Sequence, residues 1–215
     1  MYRLAVETAN SSCSVALIHG NEIIDFIIDE TPSQQSKMLF TLLNTILESN
    51  KLTYDNIEAI GVAVGPGSFT GIRIGVAGCV GVNIAKNIPL IGITNLQAAL
   101  AGSLDKNTIK PVAVILDASR GYIYTELYSN ELKSIKEPEM LKIEEFADYI
   151  NNENVFLCGS GSLLVKGQYD NLNNKVTTAE DVAKALLLIG KKVLKPYPCV
   201  PLYIREPDVT LSKKK

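Results

Sequence analysis

The string Gly65-Pro66-Gly67-Ser68-Phe69-Thr70-Gly71-Ile72-Arg73 stands between an apolar run at 57–64 and a glycine-rich run at 71–86. A loop of this kind leads a strand into a helix N-terminus, where backbone N–H groups, helped by the Ser68 and Thr70 oxygens, can hold a phosphate or other anion. Gly65, Gly67, Ser68 and Thr70 are therefore the candidate anion-binding residues. The same string also reads as a tight turn with an ordinary helix cap, because it lacks the Gly-Lys-Ser/Thr ending of a P-loop and the spacing of a dinucleotide fingerprint. Glu7 could face a nucleotide and its metal, or cap a turn, and Gly159-Ser160-Gly161-Ser162 could approach a phosphate or simply turn the chain.

Metal chemistry is narrowly bounded. The single histidine, His19, excludes sites that need two, including HExxH motifs, and it sits in what reads as an exposed hairpin turn. Cys13, Cys79, Cys158 and Cys199 are too widely spaced for any CxxC unit. They read as buried, reduced thiols of a cytoplasmic protein. No metal site or cofactor is expected.

The elements that must position these residues follow from periodicity. Strands are expected at 4–8, 14–18 and 22–28, with a hairpin turn at His19-Gly20-Asn21. A helix over 33–49, capped by Ser33, places Leu39, Leu42, Leu43, Ile46 and Leu47 on one stripe. A strand at 57–64, a helix at 71–86, a strand at 90–93 and a helix opened by Thr94 or Asn95 complete the first half. The second half repeats the order in abbreviated form. Strands fall at 112–116 and 122–128, a third is weakly marked, a short helix spans 143–149, a strand spans 155–158, and a helix with a Thr177/Glu180 capping box runs to about Leu194. The expectation is an α/β protein of two related lobes, 1–104 and 105–215.

The charge is unevenly shared. The chain of 215 residues carries 21 basic and 23 acidic side chains, so it has no electrostatic footprint for unaided binding to nucleic acid or an anionic membrane. Residues 1–104 hold only 13 of these charges and 10 of the 15 glycines, whereas 105–215 hold 31 charges. Gly71, Gly75 and Gly78 share one helix face, and Ile72, Ile74, Val76, Val80, Val82 and Ile84 make most of the remaining faces apolar. Close packing on its own sheet explains part of this pattern. A helix apolar on nearly all sides needs cover on more than one face. The preceding helix adds Met38 and Phe40 outside its main stripe. The two helices are thus a candidate partner surface, with Met38, Leu39, Leu42, Leu43, Ile46, Arg73, Gly75, Gly78 and Val82 as its residues. The N-terminus lacks the pattern of a signal peptide, and the apolar stretch 72–85 is interrupted and too short to cross a bilayer. A cytoplasmic protein without membrane contact is expected.

The Gly65-to-Arg73 string resembles the signature of the TsaB (YeaZ) family. Val6-Glu7-Thr8 with Ser14-Val15-Ala16-Leu17, Ile91-Gly92-Ile93-Thr94-Asn95-Leu96, and Pro201-Leu202-Tyr203-Ile204-Arg205 are similar to further segments of that family. The resemblance implies two βββαβα lobes of the actin, Hsp70 and sugar-kinase type. It implies a non-catalytic scaffold in tRNA threonylcarbamoyladenosine synthesis that binds the catalytic subunit TsaD as a heterodimer, is joined by the ATPase TsaE, and forms a homodimer when alone. Contact with tRNA would come only through the complex. Three positions depart from the family pattern: Glu7 stands where Asp is usual, Gln35 where a His commonly precedes Ser36, and Ser119 where Arg is expected, with Arg120 beside it left open as a substitute or not. The rival expectation is an independent ATPase or phosphotransferase of the same fold, using the 65–70 loop for phosphate and Glu7 for magnesium. A metallopeptidase fails on the histidine count. The lysine tail 213–215 reads as a solvated end.

Overall fold

A computed structural model describes residues 1–104, 110–151, 154–167 and 169–204. Alternating apolar residues build an antiparallel meander of β1 (Tyr2–Glu7), β2 (Cys13–His19) and β3 (Glu22–Asp29). Gly20, at φ 59°, makes the two-residue turn between β2 and β3. Strand β4 (Ile57–Ala63) lies parallel to β1, and β5 (Leu90–Ile93) parallel to β4, giving the order β3-β2-β1-β4-β5. Helices α1 (Gln35–Ser49), α2 (Phe69–Lys86) and α3 (Asn95–Ser103) alternate with these strands.

The second half repeats the plan. β6 (Val112–Asp117), β7 (Tyr122–Tyr128) and β8 (Ser134–Lys142) form a meander, with β9 (Phe156–Cys158) and β10 (Asp170–Asn171) parallel on its other side. The order β10-β9-β6-β7-β8 is the first sheet's order read from the opposite edge. This lobe's last two strands are the shorter ones, three and two residues long. A single turn of 3-10 helix (Ile143–Glu145) with α4 (Phe146–Tyr149) stands before β9, and among the described residues no helix separates β9 from β10. Helix α5 (Ala179–Gly190) closes the described part of the repeat. Two βββαβα-type lobes are therefore present, the second abbreviated.

The period-two alternation of the strands sorts three cores. Leu4, Val6, Val15 and Leu17 face α1 and α2, whereas Ala5, Ala16 and Ile18 face the opposite side. That opposite side is covered by α5, which crosses from the second half to pack on β1, β2 and β4, while α3 packs on α5 and on β6 and β9 of the second sheet. Val112, Val114 and Leu116 join the same central core, while Ala113 and Ile115 face α4. The layers run α1/α2, first sheet, α3/α5, second sheet, α4. Small residues permit this close stacking: a Cβ at Gly61 would meet Leu186 of α5 at 3.1 Å, and one at Gly102 would collide with Asp181.

Several boundaries differ from expectation for local reasons. Ser33 does not cap α1, because its backbone lies at φ 63°; Gln34 occupies the N-cap without a side-chain bond. Ser68 accepts from Gly71 N at 3.2 Å, so α2 starts at Phe69 rather than Gly71. The capping box of α5 uses Thr178 and Asp181, not Thr177 and Glu180, and the helix stops at Gly190. Strand β8 is fully formed over nine residues, but its charges and Pro138 hide it in the sequence, as fits an edge strand. The four cysteines are free, three of them buried. No helix among the described residues is long and apolar enough to cross a membrane. Arg205 and the 213–215 tail lie outside the described residues.

Candidate functional site

The 65–73 string is a packed corner. Gly65, at φ 109°, takes a backbone conformation that a side chain would strain. A Cβ at Gly67 would lie 2.6 Å from the Ala9 carbonyl oxygen, and one at Gly71 would collide with that of Thr8. The glycines thus let the loop press against the end of β1. Four of its donors are engaged: Gly65 N donates to Asn95 Oδ1 (3.2 Å), Ser68 N to Ala9 O (2.7 Å), Gly71 N to Ser68 Oγ (3.2 Å) and Ile72 N to Ser68 O (2.9 Å). Gly67, Ser68 and Thr70 are exposed, but these four N–H groups are not available to an anion.

Behind the corner, β1, α3 and the start of α5 converge on Glu7, which is fully buried. Glu7 Oε1 accepts from Ala9 N (2.7 Å) and Asn95 Nδ2 (3.1 Å), while Oε2 has no hydrogen-bond partner among the described residues. Asn95 Nδ2 also donates to Thr177 Oγ1 (3.1 Å), and Asn10 Nδ2 donates to Thr177 O and Oγ1 (both 2.9 Å). Gln35 Nε2 reaches the Asn10 carbonyl at 2.9 Å, and Ala179 N donates to Ser14 Oγ at 2.9 Å. Burial pushes the Glu7 carboxyl up to about 7, against the pull of Asn95, Ala9 and Asn10. The network fastens the second half to the first. Sequence reasoning singled out Glu7 but missed Asn10, Asn95 and Thr177 as its neighbours; adjacent Asn and Thr at strand ends were the available signal.

The remaining candidates serve local structure. Asp117 Oδ1 accepts from Ser119 N at 2.7 Å, Arg120 at φ 54° is engaged within the chain, and a Cβ at Gly159 would meet Ile115 O at 2.5 Å. His19 stacks on Tyr2 with centroids 4.5 Å apart. Among the described residues no group of three His, Cys, Asp or Glu side chains could hold a metal ion.

Two signature strings meet at Arg73. Its guanidinium lies 3.8 Å from the Phe69 ring centroid, and Nε donates to Tyr203 OH at 2.8 Å. Phe69 and Tyr203 are 4.6 Å apart. Leu202 N donates to Val64 O (2.7 Å), and Tyr197 bridges to Gly92 through 2.9 and 3.1 Å bonds. The segment 197–204 is thereby fastened along the edge beyond β5.

The partner-surface residues divide sharply. Leu39, Leu42, Leu43, Ile46, Gly75 and Val82 are buried between α1, α2 and the first sheet, and of these Val82 also lines the groove left between the helices. Gly75 backs onto the Thr8 side chain, and a Cβ at Gly78 would meet Leu39 Cδ2 at 2.5 Å. The strongest 3.6-residue stripe is the one each helix needs for its own sheet. Met38 and Gly78 are half-buried, and Arg73 is exposed but held by Phe69 and Tyr203. What remains bare is Phe40 (47% exposed) and Ile84 (79%), together with Gly81 and Ala85. Phe40, Gly81, Ala85, Asn44 and Tyr54 line a groove of about 340 Å³ between the helices. Gly81 has nothing within 4 Å of where a Cβ would stand.

Comparison with known proteins adds four findings. The family model of TsaD, tRNA N6-adenosine threonylcarbamoyltransferase, matches residues 30–193. The chain is similar to the tRNA threonylcarbamoyladenosine biosynthesis protein TsaB of Escherichia coli, 30% identical over 132 residues, and this match spans 61% of the chain but only 57% of that protein. It is 25% identical to TsaB of Haemophilus influenzae over 98% of this chain and 95% of that one. Its fold matches YeaZ from Pseudomonas aeruginosa, with a TM-score of 0.78 over 94% of this chain and 99% of the other at 21% identity.

Proposed function

The chain belongs to the TsaD family of tRNA N6-adenosine threonylcarbamoyltransferases and, within it, to the TsaB/YeaZ proteins, and from that premise we propose that it is a non-catalytic scaffold in tRNA threonylcarbamoyladenosine synthesis. It binds and stabilises the catalytic subunit TsaD, and TsaE joins the assembled complex in the cytoplasm. It meets tRNA only there and forms a homodimer when alone. Residues 1–104 form the lobe that carries the partner helices, and 105–215 form the second lobe.

The observation that carries this reading is the bare α1–α2 groove around Gly81. Glycine inside a helix costs about 1 kcal/mol relative to alanine, and none of the described residues uses the space it leaves. A partner helix approaching closely would use it. The exposed Phe40 and Ile84 beside it suit an apolar contact. The engaged donors of the 65–73 corner and the sealed Glu7 also weigh against the rival phosphotransferase reading.

The test replaces bare residues, not core ones. Phe40→Asp with Ile84→Asp is expected to abolish co-purification with TsaD while the isolated chain keeps its melting curve. Retention of the complex by a folded double variant would sink the assignment. Calorimetry with ATP and magnesium on the isolated chain addresses the rival, which requires binding with turnover.

A further inference from the structure

Thr177 is a buried residue at the end of an exposed stretch. Asn174, Lys175 and Val176 before it are exposed, yet Thr177 is 3% exposed. Two side-chain amides hold it. Asn10 Nδ2 donates to Thr177 O and Oγ1, both at 2.9 Å, and Asn95 Nδ2 reaches Thr177 Oγ1 and Glu7 Oε1, each at 3.1 Å. The Asn10 side-chain amide also pulls on the Glu7 carboxylate. Glu7 and Thr177 therefore draw on the same donors. An ionised acceptor makes a hydrogen bond roughly twice as strong as a neutral one, so the sharing depends on whether Glu7 carries its proton.

The surrounding elements supply no countercharge. Cys13 on β2 keeps its proton, because burial pushes its thiol up to about 12, with Glu7 and Asp29 adding to the rise. In the first turn of α5, Asp181 is paired with Lys175 at 2.6 Å, with Lys184 3.9 Å away, and Glu180 beside it is half-buried. Arg73 on α2 is held by Tyr203, and Glu58 on β4 lies by Arg3 near the opposite end of β1. Gln35 at the start of α1 is neutral, and α3 carries no ionisable side chain.

We propose that Glu7, Asn10, Asn95 and Thr177 form a proton-controlled latch between the two halves. Protonated Glu7 leaves the amides to Thr177; loss of the proton draws them to the carboxylate, admits water and frees 174–178 with the first turn of α5. In the closed latch burial raises the carboxyl to about 7, and in the open latch it returns to the ordinary 4.5. The closed form is fully favoured below 4.5 and loses ground by roughly tenfold per pH unit as pH rises toward 7, above which the ratio is constant. Ala9 ties the same carboxyl to the corner that starts α2, since its N–H donates to Glu7 and its carbonyl accepts from Ser68 N.

Hydrogen exchange of the full chain, followed by NMR from pH 5 to pH 8 and corrected for the intrinsic rate at each pH, reads two amides that the latch protects. These are Ala9, bonded to Glu7, and Ala179, bonded to Ser14 Oγ. Both are expected to exchange faster at every pH than Ala113 and Val114, which lie in β6 between two strands. Their protection should fall by roughly tenfold per unit between pH 5 and pH 7. Glu7→Gln keeps the shape but cannot ionise, and should hold both protections level across the range. Thr177→Val should leave Ala179 poorly protected at every pH. Exchange of Ala9 and Ala179 at the rates of β6 would reduce the effect to global unfolding and overturn the latch. So would protection that ignores pH in the wild type, a pH dependence that survives in Glu7→Gln, or undiminished protection of Ala179 in Thr177→Val.

Discussion

Replacing Glu7 by Gln probes the buried network directly. The native carboxyl titrates at about 7 against an ordinary 4.5 because burial disfavours its charge. Between those values the unfolded chain releases a proton that the native chain keeps, so stability falls as pH rises; below 4.5 and above 7 the contribution is flat. At about 1.4 kcal/mol per pH unit, the loss across this window amounts to roughly 3 kcal/mol. Gln keeps an acceptor for Ala9 N and Asn95 Nδ2 but cannot ionise. Urea unfolding of both proteins at pH 5 and pH 8 isolates the effect, since other groups titrate alike in each. The wild type should lose roughly 2–3 kcal/mol more than the variant over that interval. Parallel losses would refute the reasoning and show that the native Glu7 carboxylate has a compensating partner.

Other substitutions test the packing. Gly71→Ala drives a methyl into the Thr8 carbonyl and should cost about 1–3 kcal/mol or more, whereas Gly81→Ala enters open space and should stabilise the isolated chain by up to about 1 kcal/mol; denaturant titration compares the pair. Leu43→Ala empties a fully buried position and should cost about 2–5 kcal/mol by the same measurement. Thr177→Val removes an oxygen that accepts from both Asn10 and Asn95, and an unfolding free energy lowered by about 1–3 kcal/mol in the same titration is expected.

Much of the fold was legible because strand alternation and helix stripes are local patterns. β5 and β7 begin and end where their apolar runs do, and the paired meanders revealed the two lobes. The edge strand β8 was not, since one exposed side and a proline erase the apolar signal. The site was harder to read. A stripe such as Leu39, Leu42, Leu43 and Ile46 is visible because the chain itself buries it, so its visibility cannot mark what a partner covers. The bare residues Phe40, Gly81 and Ile84 are those left outside the stripe. The Glu7 network joins residues up to 167 positions apart, and no local pattern announces such a meeting.

The crossing of α5 onto the first sheet also has a consequence for how the chain is made. While the ribosome works from Leu104 to Gly190, on the order of ten seconds at typical rates, the meander has its α1–α2 side covered and its Ala5, Ala16 and Ile18 side without α5. A nascent or prematurely terminated first half therefore presents an apolar sheet face to the cell, and chaperone capture or aggregation competes with completion of the chain.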